Sequence, residues 1–536
     1  MIGRPGRRLR AALVAVACVL VALGVGIGAC TDQNSKREPP ASGGGTTTAT
    51  GTGPGGDGAA PGGTIRLGVP EQPASLNPFD PKSRTAAGAA ILGQVLPQLF
   101  RVDPGGRAVG WLADDATVRA APDGSSATFS LRAGARWSDG RPITVDDLRF
   151  TLETVRGPAW PGARAGYDRL TAVDGEGGAV TFRFDGPFPG WRRLFSGADF
   201  VLPAHRLAGR DLPAEWRQGP DLAGGPFRLG PVTPGLSVLL ERNDTWWGPK
   251  VKAPTISVLL VPDVRTMEQL LTRRELDVAW PPVTANRIGR FRALAGVEVS
   301  VAEPGGALEV LVANAQTLPV DRRLAYLGLA NRDRFVDVLL AGEAERAVSL
   351  AARPAGPTPA PAPAPAWPSA ALEPAGARLE DAPVSTLVTA EEDQLSPLLG
   401  RVIQSGARAA GATVELRSDE STTVDASWLP EGRFDLALQR TVAWPEPCWV
   451  CWFGDDSTGR GNVTRAKGLT ALAAAAERDP AAAPALEAKV KAEGLMLPLW
   501  RPRAVLAGRG VTGLVANSWS IGPFWSAESW ALSRAG

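Results

Sequence analysis

The sequence predicts an α/β or α+β fold, and three observations support this prediction. Apolar and polar residues alternate in short segments such as 64–69 and 180–184, which is typical of strands. Other segments, such as 86–100, carry apolar residues at helical spacing, and the two patterns mix along the chain. A hydrophobic fraction of 44% in 536 residues indicates a globular protein with about two to four core-forming units.

The folded part of the chain is expected to begin at Gly63, where a Gly-rich segment gives way to alternating residues. Thr144 is a suitable N-cap for a helix that begins near Val145. In chain order we predict a strand at 64–69, a helix at 86–100, a strand at 127–132, the helix from 145, strands at 180–184 and 236–241, and an Ala-rich helix at 471–492.

The N-terminus has the pattern of an export signal. Residues 1–29 are basic and then apolar, and Cys30 follows small residues in a way that resembles a bacterial lipobox. This resemblance implies a lipoprotein signal peptide, cleavage before Cys30 and acylation of its thiol. The alternative is an uncleaved membrane anchor, although the apolar run is somewhat short for a span. Residues 30–62 are rich in Gly, Thr and Pro and predict a disordered tether.

Composition excludes several classes of function. The formal net charge of +2 gives no strong field for nucleic acid. The single histidine, His205, excludes any metal site that needs two imidazoles, so we expect neither a metal nor another cofactor. The sequence contains no G-x-S-x-G or S-x-x-K motif and offers no histidine suited to a catalytic triad. We therefore expect no catalytic residues.

Ordered motifs from Gly63 nearly to the C-terminus carry a family resemblance. They are the opening strand with SLNP at 75–78, the segment FSLRAGARWSDGRPITVDDLRFTL at 129–152, GPFRL at 225–229, LLERNDTWWG at 239–248, ELDV at 275–278, the segment 321–332, FDL at 434–436 and LPL at 497–499. In this order they resemble the extracellular solute-binding proteins of ABC importers, in the peptide, oligopeptide and nickel class.

The resemblance implies an α/β fold of two lobes that close about a hinge around a cleft, with a subdomain inserted in the larger lobe. Lobe I is expected at 63–310 and lobe II at 311–496, including a Pro/Ala-rich segment at 351–377, and 497–536 return to lobe I. The strands that cross between the lobes are expected near 308–314 and 496–501.

The function that the resemblance implies is capture of a small solute, a peptide or peptide-like molecule above others, and its delivery to an ABC permease. The protein would be a monomer, anchored by lipid to the extracytoplasmic face of the cell membrane. Peptide-binding members carry an Asp after the strand that follows F-D, whereas residues 441–447 here read TVAWPEP. The missing Asp and the short Pro/Ala-rich segment keep open an alternative function as a sensor or scaffold lipoprotein without transport.

Candidate ligand-binding residues follow from the same resemblance. Each also has a structural interpretation: an ordinary Asn-Pro turn at 75–78, a strand start at 226–227 and core packing for the tryptophans. The candidates are Ser75, Leu76, Asn77, Pro226, Phe227, Asn314, Trp444, Glu446 and Trp452.

Cys448 and Cys451 would be the only cysteines left after signal cleavage apart from Cys30. Outside the cytoplasm, a C-x-x-C pair is most simply a local disulfide. The alternative is a redox motif, but Pro447 and Gly454 indicate a loop rather than a thioredoxin-like helix start. We therefore predict a structural disulfide between the two.

Overall fold

A computed structural model describes residues 63–162, 164, 166–352, 379–391, 393–442, 444–445, 447–454 and 462–533. The predicted signal peptide, the predicted tether and nearly all of the Pro/Ala-rich segment lie outside these residues. In the portion of the chain that is described, no helix is both long and apolar enough to cross a lipid bilayer.

The first of two large mixed sheets opens with the strand predicted at 64–69. Strands are numbered along the chain, and this one, β1, runs parallel to both of its neighbours. In spatial order the sheet contains β12 (Glu298–Val301), β19 (Val505–Gly508), β11 (Val278–Ala279), β1 (Thr64–Val69), β10 (Thr255–Leu260), β9 (Ser237–Arg242) and β8 (Phe227–Thr233).

A smaller antiparallel sheet forms the predicted inserted subdomain. It contains β4 (Arg119–Ala120), β5 (Ser126–Ser130), β7 (Ala179–Phe184) and β6 (Leu170–Glu176). The helix Val145–Arg156 packs beside it and begins with a capping box, in which Thr144 and Asp147 each bond the other's backbone N–H. Two short hairpins, β2 (Phe100–Val102) with β3 (Ala108–Gly110) and β20 (Val511–Thr512) with β21 (Ala531–Leu532), complete the strands of this half.

The second large sheet is built around β13, whose seven residues are almost entirely buried. Its spatial order is β14 (Ala344–Arg346), β18 (Met496–Pro502), β13 (Ala307–Ala313), β17 (Leu436–Val442), β15 (Ser385–Ala390) and β16 (Val414–Asp419). β15 runs parallel to both β16 and β17, so the carboxyl ends of these three strands share one edge.

The chain passes between the two large sheets at residues 302–306 and 503–504, because β12 and β19 belong to the first sheet while β13 and β18 belong to the second. These positions differ by a few residues from the lobe boundaries expected at 310/311 and 496/497, which fall inside or next to strands. The boundaries shift because β13 and β18 pair with each other, so both strands belong to the second sheet along their length.

The longer helices are α1 (Ala86–Val95), α2 (Val145–Arg156), α3 (Val264–Thr272), α4 (Val320–Gly328), α5 (Ser396–Ala409), α6 (Thr470–Arg478) and α7 (Ala483–Ala492). Shorter helices span Ala204–Leu207, Leu212–Glu215, Arg287–Arg292, Arg332–Arg334, Ser421–Thr423, Leu429–Glu431 and Trp449–Phe453.

Two helix predictions ran too long. The helix expected at 86–100 ends at Val95, and the helix expected at 471–492 is divided into α6 and α7. The division falls at Asp479–Pro480, because proline forces the preceding residue out of the helical region and Asp479 has φ −133° and ψ 109°.

Two hydrophobic cores lie beneath the two large sheets. The first core draws its buried residues from 65 to 278 and from 506 to 530. The second draws them from 308 to 500. The polypeptide therefore forms two lobes, each with its own core, and the C-terminal segment returns to the first lobe.

Candidate functional site

A pocket lies where a segment from the second lobe meets the first lobe. It encloses a cavity of about 50 Å³. The first lobe supplies the end of α1, strand β2 and the C-terminal segment 519–525, and the second lobe supplies Trp444, two residues beyond β17. The arrangement places a small polar cavity between the lobes, which is a common location for a ligand site.

Trp444 is the second lobe's contribution to this pocket. It is half-buried and contacts a small interlobe cluster that includes Val102 and Trp519 of the first lobe. Gly197 has φ 68°, and a Cβ there would lie 3.5 Å from the indole nitrogen of Trp444. The indole therefore packs over a surface of the first lobe where Gly197 carries no side chain.

The opposite wall is fixed by hydrogen bonds within the first lobe. The side chain of Asn517 donates to the carbonyl of Val102 at 2.8 Å and accepts from the backbone N–H of Trp519 at 2.9 Å. A Cβ on Gly106 or Gly305 would come within 2.7 Å of the Trp519 ring, so both positions must remain glycine for the ring to sit there. This wall is in place independently of Trp444.

Arg101 is a buried cation in the pocket wall, with 8% of its surface exposed. Its guanidinium lies 4.4 Å from the ring centre of Trp111 and 5.0 Å from that of Trp525. Nη2 donates to the carbonyl of Phe524 at 3.3 Å. Burial lowers the pKa of Arg101 to about 10, against the opposing effect of Glu528, so the side chain is charged at neutral pH.

Two glutamines complete the polar part of the wall. Gln98 donates from Nε2 to the carbonyl of Gly197 at 2.9 Å. Gln94 on α1 is 3% exposed, and its Oε1 has no hydrogen-bond partner in the described structure. A buried carbonyl oxygen without a donor is costly, and this one is closed to solvent as well.

The lobes are also joined beside the connecting strands by what we call the hinge contact, formed by Arg287, Glu343 and Arg503. Arg287 Nε donates to Glu343 Oε2 at 2.9 Å, and both side chains are 2% exposed. The backbone N–H of Ile288 donates to the other carboxylate oxygen at 2.7 Å. Arg503 N–H donates to the Glu343 carbonyl at 2.9 Å, and Arg287 donates to the Arg503 carbonyl.

A second buried ion pair, which we call the latch contact, joins Arg193 of the first lobe to Glu477 of α6. Glu477 also accepts from the backbone N–H of Val450 at 3.2 Å. Arg193 precedes Gly197 of the pocket by four residues, and we expect the latch contact to lie on the pocket side. The Nε and Nη1 atoms of Arg193 are buried and have no partner in the described structure.

A charged cluster lies near the shared strand edges of the second sheet. Glu309 on β13 and Arg440 on β17 are directly opposite each other and form an ion pair. Burial raises the pKa of Glu309 to about 7, although Arg440 opposes the shift. Desolvation lowers the pKa of Arg440, but Glu309, Asp393 and Glu71 together outweigh it, so the pKa is raised. Glu71 follows β1 in the first lobe, so this cluster also involves both lobes.

The turn Ser75–Asn77, a candidate for the ligand site, does not line this pocket, and its role in ligand binding stays a prediction. Asn77 accepts from the Phe79 N–H at 3.0 Å and donates to the Pro213 carbonyl at 2.8 Å, while its own N–H donates to Ser75 Oγ. Leu76 is 5% exposed in the first core. The polar groups of this turn are therefore used within the first lobe.

Four other candidate residues also lie outside this pocket, and their roles in ligand binding stay predictions. Pro226 and Phe227 are buried at the start of β8, with Phe227 in the first core. Asn314 is 0% exposed, and its amide donates to the Phe434 carbonyl and accepts from the Gln316 N–H. Trp452 is half-buried and packs on the second core beside Trp449 and Phe453. None of the four lines the pocket.

Several predictions fall wholly or partly outside the described residues. They include Glu446, the lipidation site Cys30 and the side chain of Cys451. Cys448 is disulfide-bonded in the structure. Its pairing with Cys451 stays a prediction.

Most of the pocket wall is not predicted from the sequence, namely Gln94, Gln98, Arg101, Trp519 and Trp525. One available signal was the concentration of tryptophan near the C-terminus, where eight of the 17 residues lie at or beyond Trp428. The glutamines and Arg101 gave no local signal, because their roles depend on partners that are remote in sequence.

Comparison with known families shows that the model for bacterial extracellular solute-binding proteins, family 5 (middle region), matches residues 107–462. The oligopeptide-binding protein OppA of Mycobacterium tuberculosis is 27% identical over 221 residues, which is 39% of this chain and 37% of that protein. The probable monoacyl phosphatidylinositol tetramannoside-binding protein LpqW of the same species is 31% identical over 204 residues, 35% of this chain and 31% of that one. The alignments thus span about a third of the length of these curated relatives.

Solved structures share the fold at lower identity. The oligopeptide-binding protein AppA of Bacillus subtilis, in complex with a nonapeptide, has a TM-score of 0.77 and 17% identity, covering 89% of this chain and 100% of that one. The binding protein AgaA of A. tumefaciens R10, in complex with agropinic acid, has a TM-score of 0.75 and 17% identity, covering 88% and 99%. NikZ of Campylobacter jejuni, in complex with Ni(L-His), has a TM-score of 0.71 and 16% identity, covering 87% and 99%.

Proposed function

The chain belongs to family 5 of the bacterial extracellular solute-binding proteins, and on that premise we propose that it captures a small solute between its lobes and delivers it to the permease of an ABC importer. The observation that carries the proposal is the pocket in which Trp444 of one lobe closes over a polar wall of the other. Solute binding there would favour the closed arrangement, because the solute contacts both lobes only when they meet.

A peptide or peptide-like solute is the ligand class we propose. The relatives named for oligopeptides and the AppA complex with a nonapeptide support it. The fold alone does not select this class, since AgaA and NikZ hold agropinic acid and Ni(L-His). Most of the polar groups at this pocket, including those of Gln98 and Arg101, come from one lobe, which suits recognition of one end of a solute.

We further propose that Cys30 carries a lipid and holds a monomeric protein at the extracytoplasmic face of the membrane. The predicted tether 30–62 would then give the lobes reach to a permease. Replacing Cys30 with Ser removes the thiol that would be acylated. The variant should therefore move from the membrane fraction to the soluble extract. Retention of the Cys30→Ser protein in the membrane would instead support an uncleaved anchor.

Native mass spectrometry tests the capture of solute. The chain from Gly62 onward, purified gently from its own cell envelope, should carry a bound mass that is lost on denaturation. A retained small molecule supports the proposal and identifies the solute. If the protein carries no mass and no peptide, sugar or chelate pool raises its melting temperature, the alternative of a sensor or scaffold without transport becomes the better interpretation.

A further inference from the structure

The disulfide of Cys448 is adjacent in sequence to two groups that join the lobes. Cys448 is disulfide-bonded and half-buried, and it follows Trp444 of the pocket by four residues. The short helix Trp449–Phe453 begins directly after it. The backbone N–H of Val450 in that helix donates to Glu477 of the latch contact at 3.2 Å. A change at Cys448 therefore has a short route to the pocket and to the latch contact.

The segment that joins Trp444 to Cys448 is short and stiff. It reads WPEPC, and the prolines at 445 and 447 fix φ at two of its positions. These prolines carry no N–H, and the backbone N–H of Trp444 has no hydrogen bond to another described residue. Because few bonds of its own hold the segment in place, its position is set at its two ends, which are β17 and Cys448.

The helix that follows Cys448 is anchored in the second core independently of the disulfide. Trp449 is 1% exposed and Phe453 is 0% exposed, and their rings stack with centres 6.4 Å apart. With Cys451 as its predicted partner, the disulfide closes a loop of four residues, and loop closure stabilises least when the loop is short. Opening the disulfide should therefore leave the core intact and release only the residues beside it.

We propose that the disulfide of Cys448 is a redox switch, whose reduction displaces Trp444, weakens the latch contact and so lowers the affinity for solute. The inference rests on the proposed function and adds its regulation. Trp444 would move because one end of its stiff segment is released. The latch contact would weaken because Glu477 depends on Val450 for a hydrogen bond, and two buried nitrogens of Arg193 have no partner among the described residues.

The reaction is thiol–disulfide exchange with an external dithiol. One thiolate of the dithiol attacks a sulfur of the Cys448 disulfide and forms a mixed disulfide, and the second thiolate then displaces it. The S–S bond of the protein breaks, the dithiol becomes a disulfide, and two electrons and two protons pass to the protein sulfurs. Excess of a disulfide reagent reverses the exchange. The half-buried position of Cys448 leaves it accessible to such reagents.

The test compares oxidised and reduced forms of the full-length protein, extracted from its own envelope in mild detergent. Dithiothreitol is the reductant, and mass spectrometry of alkylated peptides identifies the freed thiols. Reduction should weaken binding of a tripeptide pool about tenfold by isothermal titration. Backbone amides at 444–453 should exchange hydrogen faster, whereas the melting temperature should fall by less than about 5 °C. A disulfide reagent should restore all three.

Oxidised dithiothreitol is the matched reagent control and should change nothing. Cys448→Ser should bind as weakly as the reduced wild type and should not respond to dithiothreitol. In Glu477→Gln, where the latch contact is already weakened, reduction should have a smaller effect than in the wild type, because both changes act on the same contact. The main comparison uses folded wild-type protein, so it does not depend on whether a variant folds.

The inference is overturned if the reduced protein, with its thiols identified, keeps the affinity and the exchange rates of the oxidised protein. It is also overturned if Cys448 resists reduction in the folded protein, or if reduction unfolds the protein. Native mass spectrometry separates this failure from that of the proposed function. Equal retention of a solute by both forms leaves capture standing and removes only the switch. If neither form retains a solute or binds tripeptides, the capture function fails and the switch fails with it.

Discussion

The hinge contact and the latch contact are both buried Arg–Glu pairs between the lobes, yet they differ in how each pair is supported. In the hinge contact, Glu343 is bonded by the side chain of Arg287 and the backbone of Ile288, and Arg503 closes the network. In the latch contact, Glu477 is bonded by Arg193 and by the backbone N–H of Val450, but two buried nitrogens of Arg193 have no hydrogen-bond partner among the described residues. A pair of this kind is more easily separated.

The difference shows which interlobe interactions belong to the fold and which belong to closure. The hinge contact lies beside the connecting segments 302–306 and 503–504, and groups beside the axis of a lobe rotation are displaced least by it. We expect the latch contact to lie farther from the connecting segments, where rotation separates the lobes most. We therefore expect loss of the hinge contact to reduce folding stability and loss of the latch contact to reduce closure.

The largest effect should come from Glu343→Ala. This change leaves Arg287 as a buried charge without its carboxylate and should lower the free energy of unfolding by about 3–5 kcal/mol. Urea denaturation followed by tryptophan fluorescence measures the loss. Asp174→Ala in the exposed Arg183–Asp174 pair is the control and should cost less than about 1 kcal/mol. Equal losses in the two variants would contradict a structural role for the hinge contact.

Trp444→Ala should have the next largest effect, on affinity rather than stability. Removing the indole opens the pocket from the side of the second lobe, and loss of a central aromatic contact costs about 2 kcal/mol or more, which is roughly 30-fold in Kd. Titration of the solute identified by native mass spectrometry measures the change. Trp452→Ala is the control, because Trp452 packs on the second core and should lower the melting temperature while leaving Kd nearly unchanged.

The sequence predicted elements well where the signal is local. Strand β1 has the expected bounds, and Thr144 caps α2 as its position suggested. The helices predicted at 86–100 and 471–492 are too long. Pro97 and Pro480 disfavour a helical conformation in the residue before each of them. These elements depend on contacts within a few residues, so a single sequence carries most of the information.

The site was predicted less completely because its groups come from remote parts of the chain. Trp444 was a candidate, but Arg101 was not, since the carbonyl that it bonds is 423 residues away. Asn77 and Asn314 are polar residues next to strands, a feature that suits a cleft as well as a turn. Only their bonds to Pro213 and Phe434 distinguish the two cases.

Glu477→Gln should have a moderate effect that sharpens the contrast with the hinge contact. The neutral amide weakens the latch contact, and loss of a charge-assisted hydrogen bond of about 1.5 kcal/mol corresponds to about tenfold weaker solute binding through a larger open population. Small-angle X-ray scattering of the unliganded protein should show a larger radius of gyration. Glu493→Gln in the exposed Lys489–Glu493 pair is the control, and an equal expansion there would contradict the latch.

Glu309 should give the protein a pH-dependent stability. Its pKa in the folded protein is about 7 instead of 4.5, because burial outweighs the attraction of Arg440. The folded protein therefore binds more protons than the unfolded chain between about pH 4.5 and 7. The stability that this group contributes is fully present below about pH 4.5 and is lost as the pH rises through about 7. Urea denaturation at pH 5 and pH 8 should show a fall for the wild type relative to Glu309→Gln, which cannot titrate. If the wild type shows no fall relative to the variant over this range, Glu309 is ionised throughout, and its pairing with Arg440 dominates its burial.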